Sequence, residues 1–178
     1  WSDLRIKHGF KDPHNIKMWC LGNEMDGEWQ VGHKTAYEYG RLANETAKAM
    51  RLFDKNIELI VCGSSSDTMK TFPEWEREVL DLTYDSVDYI SMHKYWSNSD
   101  IRSDDREIGK HSTTNYLSNS IGLQKYITDV ESTINFIKSK KRSNKDVKIS
   151  FDEYQPWYHS IKFMNEHLNS DIKNWPKA

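Results

Sequence analysis

Four short apolar runs are spaced along the chain, and each one ends abruptly in polar or turn-forming residues. They cover residues 16–23, 57–62, 87–93 and 147–153. Runs of this length that are rich in Ile, Val and aromatic residues are typical of strands with both faces buried. The first run contains Met18 and Cys20 and stops at the Asp26-Gly27 turn. The pattern therefore predicts a buried strand at each of the four places.

Between the runs, apolar residues recur at helical spacing. Thr35 and Glu38 form the pattern of a capping box and begin the first predicted helix. Pro73 and Glu74 are typical of a first helical turn and begin the second. The basic residues at 138–142 suit the negative end of the third helix dipole. The apolar faces are Tyr39, Ala43, Ala47 and Met50 in the first helix, Trp75, Val79 and Leu82 in the second, and Ile127, Val130, Ile134 and Ile137 in the third.

The remaining segments are predicted to be irregular. Residues 1–14 are polar and lead into the first strand. Residues 97–120 are polar and charged without a clear period, which predicts a long loop of the kind that is usually functional or disordered. Residues 154–158 are predicted to form an aromatic loop after the last strand, and the tail to Ala178 has weak periodicity.

The alternation of strand and helix predicts an α/β fold with a parallel sheet and right-handed crossovers. A doubly wound nucleotide-binding fold would need a Gly-x-Gly-x-x-Gly turn after its first strand, but Gly22 stands alone before Asn23 and Glu24. A (β/α)8 TIM barrel instead carries its chemistry at the C-terminal ends of the strands. Because a full barrel takes about 250 residues, we predict that residues 1–178 form part of one.

Length and charge limit the classes of function. With 178 residues and 21.0 kDa, the chain is long enough for one domain with a core. Its 25 Lys and Arg against 27 Asp and Glu give a net charge of −2, which provides no basic field for nucleic acid. No run reaches the roughly 18 apolar residues of a membrane span, and no segment resembles a signal peptide. We expect neither a nucleic acid nor a membrane as partner.

The chain has two cysteines, Cys20 and Cys62, and each lies in a predicted buried strand. We interpret them as reduced core residues, which favours a cytoplasmic protein. A disulfide between them remains an alternative, because the sequence does not give the distance between the two strands.

Two glutamates, Glu24 and Glu153, follow directly where the first and fourth strands end. Cleavage of a glycosidic bond needs such a pair, one carboxylic acid to protonate the leaving oxygen and one carboxylate to attack or to activate water. Each glutamate by itself is equally typical of a solvated strand end, and only their joint occurrence favours the catalytic interpretation. We interpret the neighbouring Asp26 and Asp152 as residues that form structural hydrogen bonds at a turn or a strand end.

Two other interpretations are compatible with the same residues. A metal site is one, with His33, His93, Glu153 and His159 as available ligands, although no His-x-x-x-His or Cys-x-x-Cys spacing organises them. A carbohydrate-binding fragment without catalysis is the other, in which aromatic residues bind sugar and the carboxylates are idle.

The segment 19–27, with the sequence WCLGNEMDG, closely resembles the α-L-arabinofuranosidases of glycoside hydrolase family 51. The likeness covers most of the chain from Asp3 to Ser160. It continues through residues 29–30, 32–36, 38–43, 62–65, 71–76, 88–91 and 151–153.

The resemblance implies a retaining, exo-acting enzyme that releases terminal α-L-arabinofuranosyl residues from arabinan, arabinoxylan or related oligosaccharides. In that family the acid/base lies on strand four of the barrel and the nucleophile on strand seven. The implied acid/base is Glu24, and the implied nucleophile is Glu153. His93 and Tyr95, at the end of the strand that matches strand six, would support the two carboxylates.

Three further residues are implied to contact the sugar. Asn23 would hold the 2-hydroxyl, and Trp157 would line the sugar pocket. Trp29 is a candidate for sugar contact, with packing as its alternative.

The resemblance also implies what accompanies this part of the barrel. The family barrel has three strands upstream, and it continues into an eighth strand and a C-terminal β-sandwich. We expect residues 1–178 to supply about strands four to seven with their helices. The family uses no cofactor, and its members often form homo-oligomers, so we expect a homo-oligomeric parent protein whose partner is an arabinose-containing glycan.

Overall fold

The computed structural model describes the backbone of residues 1–97 and 120–157, and the side chains of residues 1–96 and 121–155. Helices and strands alternate in this part of the chain. In chain order the elements are α1 (Ser2–Lys7), β1 (Met18–Cys20), α2 (Ala36–Phe53), β2 (Glu58–Val61), α3 (Glu74–Thr83), β3 (Tyr89–Ser97), α4 (Ser120–Lys141) and β4 (Lys148–Trp157).

The four strands form one parallel sheet in the order β1-β2-β3-β4. A helix lies in each of the three crossovers between consecutive strands. The predicted α/β fold with a parallel sheet is therefore confirmed. In such a sheet the C-terminal ends of all strands meet at one edge, so residues that follow different strands are brought together.

The core lies between the sheet and helices α2, α3 and α4. The capping box at Thr35 and Glu38 is present and begins α2 as predicted. In α4 the buried face runs through Tyr126, whereas the predicted Ile127 is partly exposed. The largest fully buried side chains are Trp75, Tyr39, Tyr84, Tyr126, Leu59, Leu80, Ile90, Met92 and Ile137.

Two buried aromatic side chains fix the end of β2. The Cys62 N–H donates to Tyr39 Oη at 2.8 Å, and its carbonyl accepts from Trp75 Nε1 at 3.0 Å. The two rings stack with centroids 5.6 Å apart. A Cβ on the following residue, Gly63, would lie 2.0 Å from the Ser91 carbonyl oxygen, so the close approach of this strand end to β3 requires glycine.

The first strand differs from its prediction. It spans only Met18–Cys20 instead of residues 16–23, and all three side chains are exposed instead of buried. Within the described residues β1 lies at the edge of the sheet, flanked by β2 alone. The apolar run was a correct signal for a strand, but burial depends on neighbours that the run does not specify.

Three further predictions about the elements were wrong. Residues 2–7, predicted as irregular, form α1, a short helix without buried residues. The strands β3 and β4 extend four residues beyond their predicted ends, because they pair with each other from Lys94↔Tyr154 to Ser97↔Trp157. The predicted aromatic loop at 154–158 is therefore largely strand. The predicted loop at 97–120 and most of the tail lie outside the described residues.

The cysteines are both free thiols, so the disulfide alternative is wrong. Cys62 is buried as predicted, and burial raises the pKa of its thiol to about 12. Cys20 is exposed, contrary to prediction, because it belongs to the exposed strand β1.

None of the helices in the described part of the chain combines the length and the apolar character that crossing a bilayer would require.

Candidate active site

The chain turns sharply where it leaves β1, and this turn places Glu24. The residue has φ +47°, in the left-handed region that non-glycine residues seldom adopt and that is often found at functional sites. The Gly27 N–H donates to the Glu24 carbonyl at 2.9 Å, and the Met25 N–H donates to Cys62 Sγ at 3.4 Å. The first bond closes the turn, and the second attaches it to the residue that follows β2.

Asp26 strengthens the same attachment. Its buried carboxylate accepts from the Ser65 N–H at 3.1 Å and from the Ser65 hydroxyl. Burial raises the pKa of Asp26, although the bonds from Ser65 oppose that effect. The predicted structural role of Asp26 is confirmed, because this residue ties the turn that carries Glu24 to the segment after β2.

A β-bulge places the second carboxylate. Along β3 and β4 the register runs from Met92↔Phe151 directly to His93↔Glu153, so Asp152 is an extra residue on β4. Bulges bend a strand locally and change the direction of its side chains. As a result, Asp152 and Glu153 both reach His93 on the neighbouring strand.

His93 lies at the centre of the site, between three carboxylates. Its Nδ1 is 3.2 Å from Glu24 Oε1 and 3.4 Å from Glu153 Oε2, and its Nε2 is 3.3 Å from Asp152 Oδ1. The residue is only 3% exposed. Burial disfavours the charged ring, but the bonds with Asp152 and Glu24 and the charge of Glu153 outweigh burial, so the pKa of His93 is raised.

Tyr95, two residues further along β3, donates its hydroxyl hydrogen to Glu153 Oε1. Desolvation and this bond raise the pKa of Tyr95 to about 12, so the phenol remains a donor at any ordinary working pH. The hydroxyl therefore holds one carboxylate oxygen of Glu153 in place.

Trp29 and Gln30, in the loop that follows the turn, contact Glu24. The indole N–H of Trp29 donates to Glu24 Oε2 at 2.8 Å, and Gln30 Nε2 lies 3.4 Å from the same oxygen. Trp29 is 60% exposed, so its indole is not packed into the core. One carboxylate oxygen of Glu24 thus faces His93, and the other faces this loop.

One oxygen of Glu24 and one of Glu153 lie within 4.8 Å of each other. Retaining glycosidases keep their two carboxyl groups about 5 to 5.5 Å apart, whereas inverting enzymes separate them by about 6.5 to 9.5 Å. The arrangement can therefore place both carboxyl groups at one anomeric carbon.

The same group also contains residue types that bind metal ions. One ligand atom each of Glu24, His93 and Glu153 lies within 4.8 Å of the other two. Each of the three side chains is already engaged by another residue, Trp29, Asp152 and Tyr95 respectively. We interpret the group as a hydrogen-bonded acid/base cluster. His33, from the predicted metal set, is exposed in the loop before α2, and His159 lies outside the described residues.

The structure thus brings together Glu24, His93, Tyr95, Glu153 and Trp29. Asn23 is exposed beside Glu24, at the same strand end. The backbone of Trp157 forms the last residue of β4, but its side chain lies outside the described part.

Two contacts of this cluster were missed by the sequence interpretation. Asp152 was interpreted as structural, and besides its hydrogen bond from Ser150 it also lies against His93, the residue expected to support the two carboxylates. The pair of adjacent acids at a strand end was a signal for this, but the bulge that directs both toward one ring has no local sequence signature. Gln30, which follows Trp29 in the polar loop, was not singled out at all.

Comparison with known proteins points in the same direction as this geometry. Residues 1–114 match the family model described as the alpha-L-arabinofuranosidase 1 domain. The chain is 56% identical, over 90% of its length, to an intracellular exo-α-(1→5)-L-arabinofuranosidase from Acetivibrio thermocellus, of which it spans 30%. It is 43% identical, over 99% of its length, to an exo-α-(1→6)-L-arabinofuranosidase from Bifidobacterium longum, of which it spans 33%.

A solved structure matches over nearly the whole chain. A family 51 α-L-arabinofuranosidase from Bifidobacterium longum superposes with a TM-score of 0.80 and 35% identity, covering 98% of this chain and 32% of that protein. The chain therefore spans about a third of the length of its relatives, and the parallel sheet with its helices is one part of their larger fold.

Proposed function

This chain belongs to glycoside hydrolase family 51, the α-L-arabinofuranosidases, and on that premise we propose that the protein containing it hydrolyses terminal non-reducing α-L-arabinofuranosyl residues. The substrates are arabinan, arabinoxylan or related oligosaccharides. The observation that carries the proposal is the pair Glu24, in the turn after β1, and Glu153, on β4, of which one oxygen each lie within 4.8 Å of each other. The named relatives act on (1→5) and (1→6) linkages, so the proposal concerns the terminal sugar that both share.

The proposed reaction is a double displacement. Glu153 attacks the anomeric carbon while Glu24 gives its proton to the leaving oxygen, which forms a covalent arabinosyl-enzyme. Glu24 then removes a proton from water, the water attacks the anomeric carbon, and Glu153 leaves as a carboxylate. The short separation of the two carboxyl groups supports this retaining course over an inverting one.

The surrounding contacts suit the two roles. Tyr95 donates to one oxygen of Glu153, which orients the carboxylate that attacks. Trp29 holds Glu24 through the carboxylate oxygen that does not face His93, which restricts the side chain that gives the proton. His93 joins both carboxylates to one buried ring.

The sugar-binding part of the proposal rests on residues around this pair. Asn23 precedes Glu24 and is exposed, so its amide is available to the 2-hydroxyl, where a neutral donor stabilises an oxocarbenium-like transition state. Trp29 presents an exposed indole beside Glu24. Trp157 follows Glu153 by four residues on β4 and is proposed to line the pocket.

The place of the chain in the parent protein is also a proposal. We assign β1 to β4 to strands four to seven of a (β/α)8 barrel, with the other strands and a C-terminal β-sandwich supplied by the rest of the protein. The position of β1 at the edge of the described sheet supports this assignment, because a further strand can pair with the backbone of an edge strand. The relatives named as intracellular support a cytoplasmic location, and the family resemblance supports a homo-oligomer.

The test uses the full-length protein and an aryl α-L-arabinofuranoside. Glu153→Ala is expected to abolish turnover. Glu24→Ala is expected to lose most activity and to regain part of it with azide, if the leaving group is activated and needs no proton. Glu45→Ala, which removes an exposed carboxylate on α2, serves as control and is expected to behave like the wild type.

Two results would overturn the proposal. A near-normal rate of Glu153→Ala would remove this residue from the mechanism. A first product of inverted configuration from the wild-type protein would contradict the retaining course. Tight binding of arabino-oligosaccharides without any turnover would instead favour the carbohydrate-binding alternative.

A further inference from the structure

Two consecutive carboxylates of one strand contact the same histidine ring. In a regular strand, consecutive side chains point to opposite faces of the sheet. Yet Asp152 Oδ1 is 3.3 Å from His93 Nε2, and Glu153 Oε2 is 3.4 Å from His93 Nδ1. The bulge at this point of β4 accounts for the exception, because it adds Asp152 as an extra residue opposite β3.

The consequence for His93 is that both of its ring nitrogens face carboxylates. A neutral imidazole carries one N–H and one lone pair, whereas the protonated ring carries two N–H groups. With Glu24 and Glu153 at Nδ1 and Asp152 at Nε2, a neutral ring would direct a lone pair at a carboxylate on one side. When all three carboxylates are ionised, only the doubly protonated ring satisfies both sides.

Asp152 is itself held in place from two directions. Its second oxygen, Oδ2, accepts a hydrogen bond from Ser150 Oγ at 3.2 Å and lies 4.0 Å from Cys20 Sγ on β1. These contacts engage Oδ2 and leave Oδ1 for the ring. None of the described hydrogen bonds or ion pairs of Asp152 involves Glu24 or Glu153, so it acts on them through His93.

We propose that Asp152 is a positioning residue that orients the His93 ring and keeps both of its nitrogens protonated, so that one cation lies between the two catalytic carboxylates. This inference rests on the proposed function only in so far as it concerns catalysis. The orientation and charge of the ring follow from the contacts themselves.

The charged groups that face the ring agree with this assignment. In the described part of the chain they are Glu24 from the turn after β1 and Asp152 and Glu153 from β4, all carboxylates. Tyr95 on β3 donates to Glu153, which itself contacts the ring. A protonated His93 therefore offsets the repulsion among three acids that lie close together.

The decisive measurement is the titration of His93 itself, in the full-length protein. The rate of deuterium exchange at the imidazole carbon between the two nitrogens depends on ring protonation and is measured by mass spectrometry of the peptide that contains His93. In Asp152→Asn the pKa of His93 is expected to fall by about one unit or more, the effect of losing an adjacent opposite charge. Asp146→Asn, an exposed carboxylate just before β4, is the control and is expected to leave the titration unchanged.

An unchanged pKa of His93 in a folded Asp152→Asn protein would overturn the proposal. If that variant shows no cooperative thermal unfolding, Ser150→Ala replaces it, because this change loosens Asp152 without removing it. A smaller fall of the pKa in Ser150→Ala then supports the proposal, and no fall contradicts it.

Kinetics test the catalytic part separately. In Asp152→Asn the pH dependence of kcat/KM is expected to change across the pH range in which His93 loses its proton, whereas a purely structural role would lower the rate equally at every pH. A wild-type protein without arabinofuranosidase turnover would count against the proposed function, while the exchange measurement would still decide the role of Asp152.

Discussion

The indole N–H of Trp29 donates a hydrogen bond of 2.8 Å to Glu24 Oε2, the carboxylate five residues earlier in the chain. This bond comes from an exposed loop and not from the sheet. It restricts the side chain that we propose as the acid/base, so the loop that follows the turn takes part in the orientation of the proton donor.

Trp29→Phe keeps the aromatic ring but removes the N–H donor. A hydrogen bond to a charged group contributes about 1.5 to 3 kcal/mol, so kcat/KM is expected to fall by about tenfold to a hundredfold. The loss should be larger for an aryl arabinofuranoside with a poor leaving group than for one with an activated leaving group, because only the former needs the proton. Equal losses for both substrates would show that Trp29 contributes to sugar binding and not to acid catalysis.

Tyr95→Phe removes the hydroxyl that donates to Glu153. Because the pKa of Tyr95 is raised to about 12, the wild-type phenol donates throughout the working range, and its loss is expected to lower kcat/KM by about tenfold or more. Pre-steady-state measurement of the release of the aryl group should show that formation of the covalent intermediate has slowed. Tyr37→Phe, an exposed tyrosine on α2, is the control. A wild-type rate of intermediate formation in Tyr95→Phe would contradict the support of Glu153 by Tyr95.

Glu76 makes the stability of the core depend on pH. It is 1% exposed, its Oε1 accepts from the Ser64 N–H at 2.8 Å, and burial raises its pKa from 4.5 to about 7. Between these values the unfolded chain loses the proton while the folded protein keeps it, so the free energy of unfolding falls as the pH rises. Glu76→Gln, which cannot ionise, is expected to gain stability relative to the wild type by about 3 kcal/mol as the pH rises from below 4.5 to above 7.

The measurement is the midpoint of thermal unfolding of both full-length proteins across this pH range. Glu74→Gln on the same helix is the matched control. The bond with Arg77 lowers the pKa of Glu74, so stability from this pair is present at high pH and is lost as the pH falls. The stability of Glu74→Gln relative to the wild type should therefore fall as the pH rises. Parallel pH curves of Glu76→Gln and the wild type would contradict the raised pKa of Glu76.

Gly63→Ala is expected to destabilise the protein. The added methyl group would lie 2.0 Å from the Ser91 carbonyl oxygen, and backbone cannot move aside as a flexible side chain can. Overpacking of this kind costs about 1 to 3 kcal/mol, which a lower midpoint of thermal unfolding would reveal. Gly122→Ala, in α4, where no atom of the described residues lies within 4 Å of the added Cβ, should instead raise stability by about 0.5 to 1 kcal/mol. An unchanged midpoint in Gly63→Ala would show that the strand ends separate easily.

The elements near the site differ in how far the sequence predicted them. The helix from Ala36 to Phe53 was predicted from its capping box and apolar spacing, because both signals are local. The ends of β3 and β4 were not predicted from the sequence. The residues from Lys94 to Ser97 form a strand because they pair with residues 60 positions away. The exposure of β1 was missed for a related reason, since an apolar run specifies a strand but not what covers it.

The sequence by itself determined the alternation of strands and helices, the parallel sheet and the two glutamates at the ends of apolar runs, because these follow from local periodicity and from the order of elements along the chain. Only the tertiary structure decided that Asp152 and Glu153 both reach His93 and that Trp29 and Tyr95 hold the two glutamates. The physical reason is that a bulge and a hydrogen bond between distant residues depend on how neighbouring strands pair, and no single stretch of sequence encodes that pairing.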